Sequence, residues 1–374
     1  MPSLGADMEA GTLVEWLVKP GQKVKRGDVV AVVETQKGAV EVEIWEDGVV
    51  DTLVIEPGTL VPVGEVLATL RSEGIAAPGR AAQPAPAPRV SAPSAPPTAA
   101  PASAERGRIS PAARRRAQEL GVDISKLAPS SADGIISIAD VEQAAHQIAP
   151  AMNKQAAMRQ AIGAAMAKSK REIPHYYLGN SIDVTHALDW LTQQNAKRNV
   201  KERILFAAVL LRAVAVALKE TPELNGLWID QQFRPSAAVH LGVGIALRGG
   251  GLVAPAIHDA QDKRVPEIMS TLGDLVQRSR SGGLRSSELT DATITVTNLG
   301  EQGVESVYGV IYPPQVALVG FGRIAERPWV KDGAVQIRSI VQATLCADHR
   351  ASVGHRGALF LTALERLLQE PEGL

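Results

Sequence analysis

Residues 72–105, SEGIAAPGRAAQPAPAPRVSAPSAPPTAAPASAE, are almost entirely Ala, Pro, Ser and Gly. Such a run cannot bury enough apolar surface to offset the entropy of ordering it. Its prolines bias it to polyproline II at roughly 3.1 Å per residue, a reach on the order of 100 Å. No hydrophobic core can continue through it, so the 374-residue chain must fold as separate bodies on either side. The run is expected to be a tether that sets the working radius of what precedes it.

Residues 1–71 contain an internal repeat. GTLVEWLVKPGQKVKRGDVVAVV, from Gly11, is echoed by GVVDTLVIEPGTLVPVGEVLATL, from Gly48. Gly11, Pro20, Gly21, Val24, Gly27, Val29 and Ala31 match Gly48, Pro57, Gly58, Val61, Gly64, Val66 and Ala68. Short β runs with Pro-Gly and Gly turns predict two matching halves, packed as a small barrel or flattened sandwich. Between the halves, Val40, Val42 and Ile44 alternate with Glu41 and Glu43, the pattern of a half-buried strand. Lys37 then falls at an exposed hairpin tip, where by itself it is an ordinary turn residue. The LGADM start, the EWLVKPGQKVKRGD stretch, the VVET turn and both halves together resemble a lipoyl domain over all of residues 1–71. That resemblance implies lipoic acid attached to Lys37 as an amide, on a long arm that can visit several active sites. The tip departs from the family: Gln36-Lys37-Gly38 stands where Asp-Lys-Ala is usual. Biotinyl domains share the architecture but flank their lysine with methionines, which this tip lacks.

Residues 106–145 predict a small all-α module. Ser110-Pro111 reads as an N-cap and first helical residue ahead of AARRRAQELG, and Ile138-Ala139-Asp140 opens a last helix. A core this small suits binding better than catalysis. The order of parts resembles the peripheral subunit-binding domain of the same enzyme family. By that resemblance it docks dihydrolipoamide dehydrogenase or a thiamine-diphosphate-dependent decarboxylating dehydrogenase, with Arg114, Arg115 and Arg116 supplying charge. By itself a charge run is a solvated helix face. Pro129 and Ser131 replace family glycines, and Ile135 and Ile138 replace basic residues, which leaves the partner open.

Residues 150–374 are long enough for one well-buried α/β domain. Helical patterns cover Met152–Ser169, Thr185–Asn195, Ile204–Thr221 and Val265–Arg280; strand patterns cover IPHYYLGNSIDV, VHLGVGIAL, LVAPAI, DATITVTN, QVALVGFG and IRSIVQATLCADH. REIPHYYLGNSIDV, PELNG, VHLGVGIAL with GGLVAPAI, ITVTNLG, YPPQVALVGFG and ADHRASVG occur in that order. Together with the terminal helix they resemble the acyltransferase domain of 2-oxo acid dehydrogenase complexes, similar in fold to chloramphenicol acetyltransferase. The implied chemistry moves an acyl group between the dihydrolipoyl thiol and coenzyme A. A thiol with pKa near ~8.5 needs a base, and imidazole, near ~6.5, can serve at neutral pH. By resemblance His349 is that base, and Thr297, before Asn298-Leu299-Gly300, is the hydroxyl that stabilises the tetrahedral oxyanion. The family builds its site between two subunits of a trimer, and trimers assemble into larger cores. Val353 stands where the family pattern Asp-His-Arg-x-x-Asp-Gly has its second Asp, so an arginine elsewhere is expected to lose a partner and activity to fall.

Other features narrow the classes. Net charge is −1, so nothing points to nucleic acid or an anionic membrane. The apolar run Ile204–Leu218 is interrupted by Arg212 and is short of the ~20 residues of a membrane span. His175, His240, His258 and His355 show no metal-ligand spacing, so no metal is expected. The single cysteine, Cys346, reads as core and fits a reducing compartment. With no secretory signal at the N-terminus, a cytoplasmic setting is expected. The reading is an acyltransferase, acetyl by default, at the core of a 2-oxo acid or acetoin dehydrogenase complex. The alternative is a lipoyl carrier and scaffold with a weak or inactive transferase site.

Overall fold

The structure, a computed structural model, describes residues 1, 10–35, 38–71, 108–109, 111–120, 135–138, 140–141, 159–247 and 251–374. Lys37, the 72–105 run and the segment with Pro129 and Ser131 lie outside the described residues. The chain divides into two compact units, Met1–Glu73 with Met158–Leu374, and Gly74–Ala157.

The N-terminal β region has strands β1 (Ala10–Trp16), β2 (Lys23–Val24), β3 (Val29–Thr35), β4 (Gly38–Glu43), β5 (Gly48–Leu53), β6 (Leu60–Pro62) and β7 (Ala68–Arg71). Strands β4, β3, β1 and β6 form one sheet in that order, and β2, β5 and β7 another. Leu13, Val33, Val40, Val42 and Val61 of the first meet Val24 and Val50 of the second in one core. The repeat recurs in the backbone. Gly21 and Gly58 have φ of 84° and 89°, and Gly27 and Gly64 have 91° and 93°, a region open to glycine at little steric cost. Alternation holds at Val40 and Val42 but breaks at Glu43, which is only 8% exposed.

In the second unit, β8 (Arg108–Ile109) pairs in parallel with β9 (Ile135–Ile136), beside α1 (Pro111–Leu120). Ala113 and Ala117, one helical turn apart, bury with Ile136 and Val141. Arg114 and Arg115 are exposed on α1. The last helix opens on a reciprocal cap: Ser137 N–H and Oγ donate to the Asp140 carboxylate at 2.7 and 2.9 Å, and Asp140 N–H donates back at 3.3 Å.

The C-terminal region runs α2 (residues 159–172), β10 (His175–Asp183), α3 (Thr185–Ala196), α4 (Phe206–Glu220), the hairpin β11 (Gly226–Ile229) and β12 (Gln232–Pro235), then β13 (Leu241–Val243), β14 (Ile245–Ala246), β15 (Leu252–Val253) and β16 (Ala256–Ile257). It continues through α5 (Val265–Ser281), β17 (Leu284–Arg285), α6 (Ser286–Thr290), β18 (Ile294–Asn298), β19 (Ala317–Phe321), β20 (Ala325–Lys331), β21 (Ala334–Asp348) and α7 (Gly354–Gln369). The main sheet is ordered β10-β21-β19-β18-β13-β16, with β20 on the outer half of β21. Helices α4 and α7 cover it. Val209, Val214 and Leu218 pack with Val341, Leu345, Phe360 and Leu364, each worth roughly 1.5–3 kcal/mol on full burial. Central strand β18 is covered on both faces, so its alternation does not separate core from solvent. Buried Thr295 Oγ1 therefore donates to Gln315 Oε1 at 2.7 Å, and Thr293 Oγ1 to Asn225 Oδ1 at 2.6 Å.

Two of the features not anticipated from sequence bear on function. One is the β20–β21 hairpin, turned at Asp332 and Gly333 with φ of 52° and 76°. Its tip exposes Val330, Val335 and Ile337. The other is that β17 adds in parallel to β4 of the N-terminal sheet, Leu284 opposite Val40 and Arg285 opposite Glu41. Glu43 is buried against this pairing.

Candidate active site

The turn after β21 is buttressed from below. Asp348 is fully buried, and a buried carboxylate needs partners. It accepts Arg350 Nε at 3.0 Å on each oxygen, Arg350 Nη2 at 2.7 Å and Arg350 backbone N–H at 2.9 Å. The Arg350 guanidinium lies 4.4 Å from the Trp228 ring centroid, a stacked cation–π contact. Ala351 and Ser352 N–H both donate to the Asp348 carbonyl, at 3.1 and 3.0 Å. His349 between these anchors is exposed. Its backbone N–H donates to Pro174 O at 3.0 Å, and its ring meets Tyr176 edge-on at 5.4 Å. Tyr176 Oη is 2.8 Å from Ser352 Oγ and donates to Val353 O at 3.3 Å. Burial pushes the Tyr176 phenol above its ordinary pKa, so it stays a neutral donor. The backbone of the turn is thus fixed while the imidazole is free to meet a ligand.

Val353 is the N-cap residue of α7, and no side chain caps that end. It is about half exposed. The replaced Asp position is therefore a helix cap facing outward in this chain, not a buried one.

The Thr297 turn is built differently. Thr297 ends the buried part of β18 and lines an open cavity of about 280 Å³ with Gly244, Val253, Leu289, Val307, Tyr312 and Leu318 among its walls. Gly244 keeps the approach clear: a Cβ there would lie 3.5 Å from Thr297 Oγ1. The next turn is held by Gly300 N–H donating to Asn298 Oδ1 at 2.9 Å and Leu299 N–H to Phe321 O at 3.1 Å. The cavity is mostly apolar, and the Thr295 hydroxyl on its wall is already given to Gln315, so the Thr297 hydroxyl suits a hydrogen-bond donor to a developing anion.

One chain does not bring these two groups together. Thr297 is level with Gly320, and Gly320 with Thr344 on β21. His349 lies five positions beyond, about 17 Å along the strand and about 10 Å across two strand spacings. The separation is on the order of 20 Å, too far for one carbonyl to meet both.

Other sequence candidates resolve into structure. His175 Nε2 accepts Ile311 N–H at 3.2 Å, so its Nδ1 is the donor to Ile173 O at 2.9 Å. Burial holds its pKa down, and it is a half-buried structural histidine. His258 Nε2 pairs with Asp291 at 3.1 Å and stacks edge-on with His240 at 5.0 Å. His355 is exposed at the start of α7. Cys346 is fully buried, and burial pushes its thiol up to about 11, which fits core packing and not a nucleophile. Among the described residues no His, Cys, Asp and Glu cluster could hold a metal, and no helix is long and apolar enough to cross a membrane. Sequence reading missed Trp228 and Tyr176, because each lies far from the His349 turn in the chain: Tyr176 reaches His349 through the β10–β21 pairing, and Trp228 reaches Arg350 from a separate hairpin.

The family model of the 2-oxoacid dehydrogenases acyltransferase catalytic domain matches residues 150–374. Models of biotin-requiring enzymes and of an E3 binding domain match residues 1–70 and 107–142. The chain is 30% identical over 409 residues to the dihydrolipoyllysine-residue acetyltransferase component of the pyruvate dehydrogenase complex of Rickettsia bellii, covering 99% of this chain and 97% of that one. A solved structure of Azotobacter vinelandii dihydrolipoamide acetyltransferase is 25% identical, with a TM-score of 0.55, over 58% of this chain and 90% of its own. That work concerns the roles of a serine, a histidine and an asparagine in the catalytic mechanism. A solved cubic core of the pyruvate dehydrogenase multienzyme complex is 26% identical, also with a TM-score of 0.55, over 58% of this chain and 90% of its own. The chain is a member of the 2-oxoacid dehydrogenase acyltransferase family.

Proposed function

We propose that this chain transfers an acyl group, acetyl by default, between lipoyl-lysine and coenzyme A, as the core of a 2-oxo acid dehydrogenase complex. The observation that carries the site assignment is a spacing. The serine, histidine and asparagine of the Azotobacter enzyme are separated along its chain as Thr297, His349 and Val353 are here. His349 takes the proton of the attacking thiol, a role worth about 10²–10⁴-fold in rate. The Thr297 hydroxyl donates to the oxyanion that thiol attack on a thioester creates. The Asp348–Arg350–Trp228 stack and Tyr176 hold the His349 backbone so that its ring is presented at a fixed angle.

The separation of Thr297 from His349 within one chain supports a site completed by a second copy, and a trimer is the assembly proposed. Exposed Val330, Val335 and Ile337 on the β20–β21 hairpin support self-association. The cubic core relative supports further assembly of trimers. Lys37 is the proposed lipoyl attachment point. The described strand ends on either side of it, Thr35 and Gly38, pair directly, which supports a hairpin position for the attachment. The lipoyl group, once attached, supplies the thiol that carries the acyl unit. Arg114 and Arg115 on α1 are proposed to dock dihydrolipoamide dehydrogenase or the thiamine-diphosphate-dependent dehydrogenase, in the cytoplasm. The proposed bodies are residues 1–71, 106–145 and 150–374.

The test mixes the assembled protein with acyl-CoA and free dihydrolipoamide, with and without His349→Ala. Loss of at least about a hundredfold is expected; equal rates leave only a carrier and scaffold. A panel of acetyl-, succinyl- and isobutyryl-CoA identifies the acyl group.

A further inference from the structure

Glu43 breaks the alternation of its strand, and its surroundings explain why. Its backbone N–H donates to Ser286 Oγ at 3.2 Å. One carboxylate oxygen accepts Ser287 N–H at 3.2 Å and the Ser287 hydroxyl. The other oxygen lies 3.9 Å from Arg285. Beside it β17 pairs with β4, and Gly283 N–H donates to Ala39 O at 3.3 Å. Leu289 of α6 packs against the N-terminal core and also lines the Thr297 cavity.

We propose that β17 and α6 form a docking ledge for this chain's own lipoyl domain, gripped through the β4 edge and the Glu43 carboxylate. The ledge is preorganised by its own helices. Arg278 of α5 donates to both Glu288 oxygens at 2.7 and 2.5 Å and to Gly283 O at 3.1 Å, and Arg285 N–H donates to Glu288 at 2.8 Å. The grip is small: a two-residue ladder, one carboxylate and one apolar side chain. Such an interface between tethered domains is of the releasable kind. A charge on an edge strand deters pairing with unselected strands. A ledge that presents serine donors where that charge falls accepts this edge and rejects others.

The register also sets what docking does. Gly38 and Ala39 lie at the Gly282–Gly283 end, while Glu43 lies at the Ser287–Leu289 end, about 17 Å away along β4. The described base of the β3–β4 hairpin, Thr35 and Gly38, therefore lies at the end of β4 away from Leu289 and the Thr297 cavity of the same chain, and docking parks the domain. Release returns it to circulation.

The proposal takes residues 1–71 as the carrier domain read above. Its test reads docking whether or not Lys37 is lipoylated, so the two can fail separately. A Cβ at Gly282 would lie 3.7 Å from that of Ala39, inside the disulfide range of about 3.5–4.5 Å. The full chain carrying Ala39→Cys and Gly282→Cys is oxidised, its free thiols counted, and its chains separated without reductant. Docking within the chain predicts that both new thiols disappear with no dimer band; the one native cysteine, Cys346, is buried. Two remaining thiols, or crosslinks only between chains, overturn it. Gly282 has φ of 77°, so cysteine there is strained, and a second variant avoids that position. Glu43→Lys in the full chain is expected to speed hydrogen exchange of amides 283–287 by about tenfold or more; unchanged exchange overturns the proposal.

Discussion

The His349 turn and the Thr297 turn sit at opposite reaches of one sheet and are built on opposite plans. His349 rests on a buried carboxylate, a stacked guanidinium and a neutral tyrosine, with its own ring exposed. Thr297 has a single hydroxyl at the wall of an apolar cavity, on a strand whose rigidity comes from the surrounding sheet. A base that moves a proton must be held at an angle, and that takes local polar bracing. An oxyanion donor needs only a fixed position and little competing water. Each plan suits its half of the proposed site.

The contrast breaks first at Asp348. Asp348→Ala removes every partner of the Arg350 side chain that lies within the turn and leaves its charge uncompensated. A loss of about 3–5 kcal/mol in urea unfolding is expected, with acyl transfer abolished. If stability holds within ~1 kcal/mol, the bracing is not what fixes the turn. Thr297→Val changes the other half without a comparable fold penalty. The expected result is kcat lower by about a hundredfold, with KM for coenzyme A and unfolding nearly unchanged. A change confined to KM would assign Thr297 to binding.

These two halves were unequally legible in the sequence. The paired glycines of the N-terminal repeat, the α4 core run and the placement of both Thr297 and His349 at strand ends follow from local pattern, and the structure has them so. Trp228 does not, because its hairpin turns at Asp230 and Gln231 with φ of 51° and 58°, without the glycine that marks such turns. Asp332-Gly333 does carry that signal between alternating runs, yet β20 was overlooked beside the longer β21. Glu43 read as a solvent-facing strand residue, because period-2 reasoning sees one sheet and not a ledge from residues 240 positions away. Val353 read as the loss of a charged partner, and the structure adds that it is an uncapped helix start.

Smaller changes sharpen the comparison. Val353→Asp supplies α7 with a cap and is expected to add about 1 kcal/mol to unfolding stability and to raise turnover by tightening the His349 turn. A stability gain without a turnover gain would separate the cap from the chemistry. The smallest effect concerns the Thr297 half, where Asp291 caps the C-terminal end of α6. Its hydrogen bond raises the His258 pKa, and burial opposes it. A raised folded pKa means that this contribution is full below about pH 6.5 and fades as pH rises through the folded value. His258→Gln should therefore destabilise the protein more at pH 6 than at pH 8. An equal loss at both would show that the pair is not ionised.

Thr297 of one copy and His349 of another are proposed to make a single site. His349→Ala and Thr297→Val chains, each inactive alone, are co-expressed and purified as mixed assemblies. In a closed ring of heterologous contacts, random mixing leaves about a quarter of the sites with both groups intact. Acyl transfer is expected to recover to about that fraction of the unaltered protein. Mixed assemblies as inactive as either parent would place both groups in one chain's site, or remove one of them from the chemistry, and would contradict the proposal.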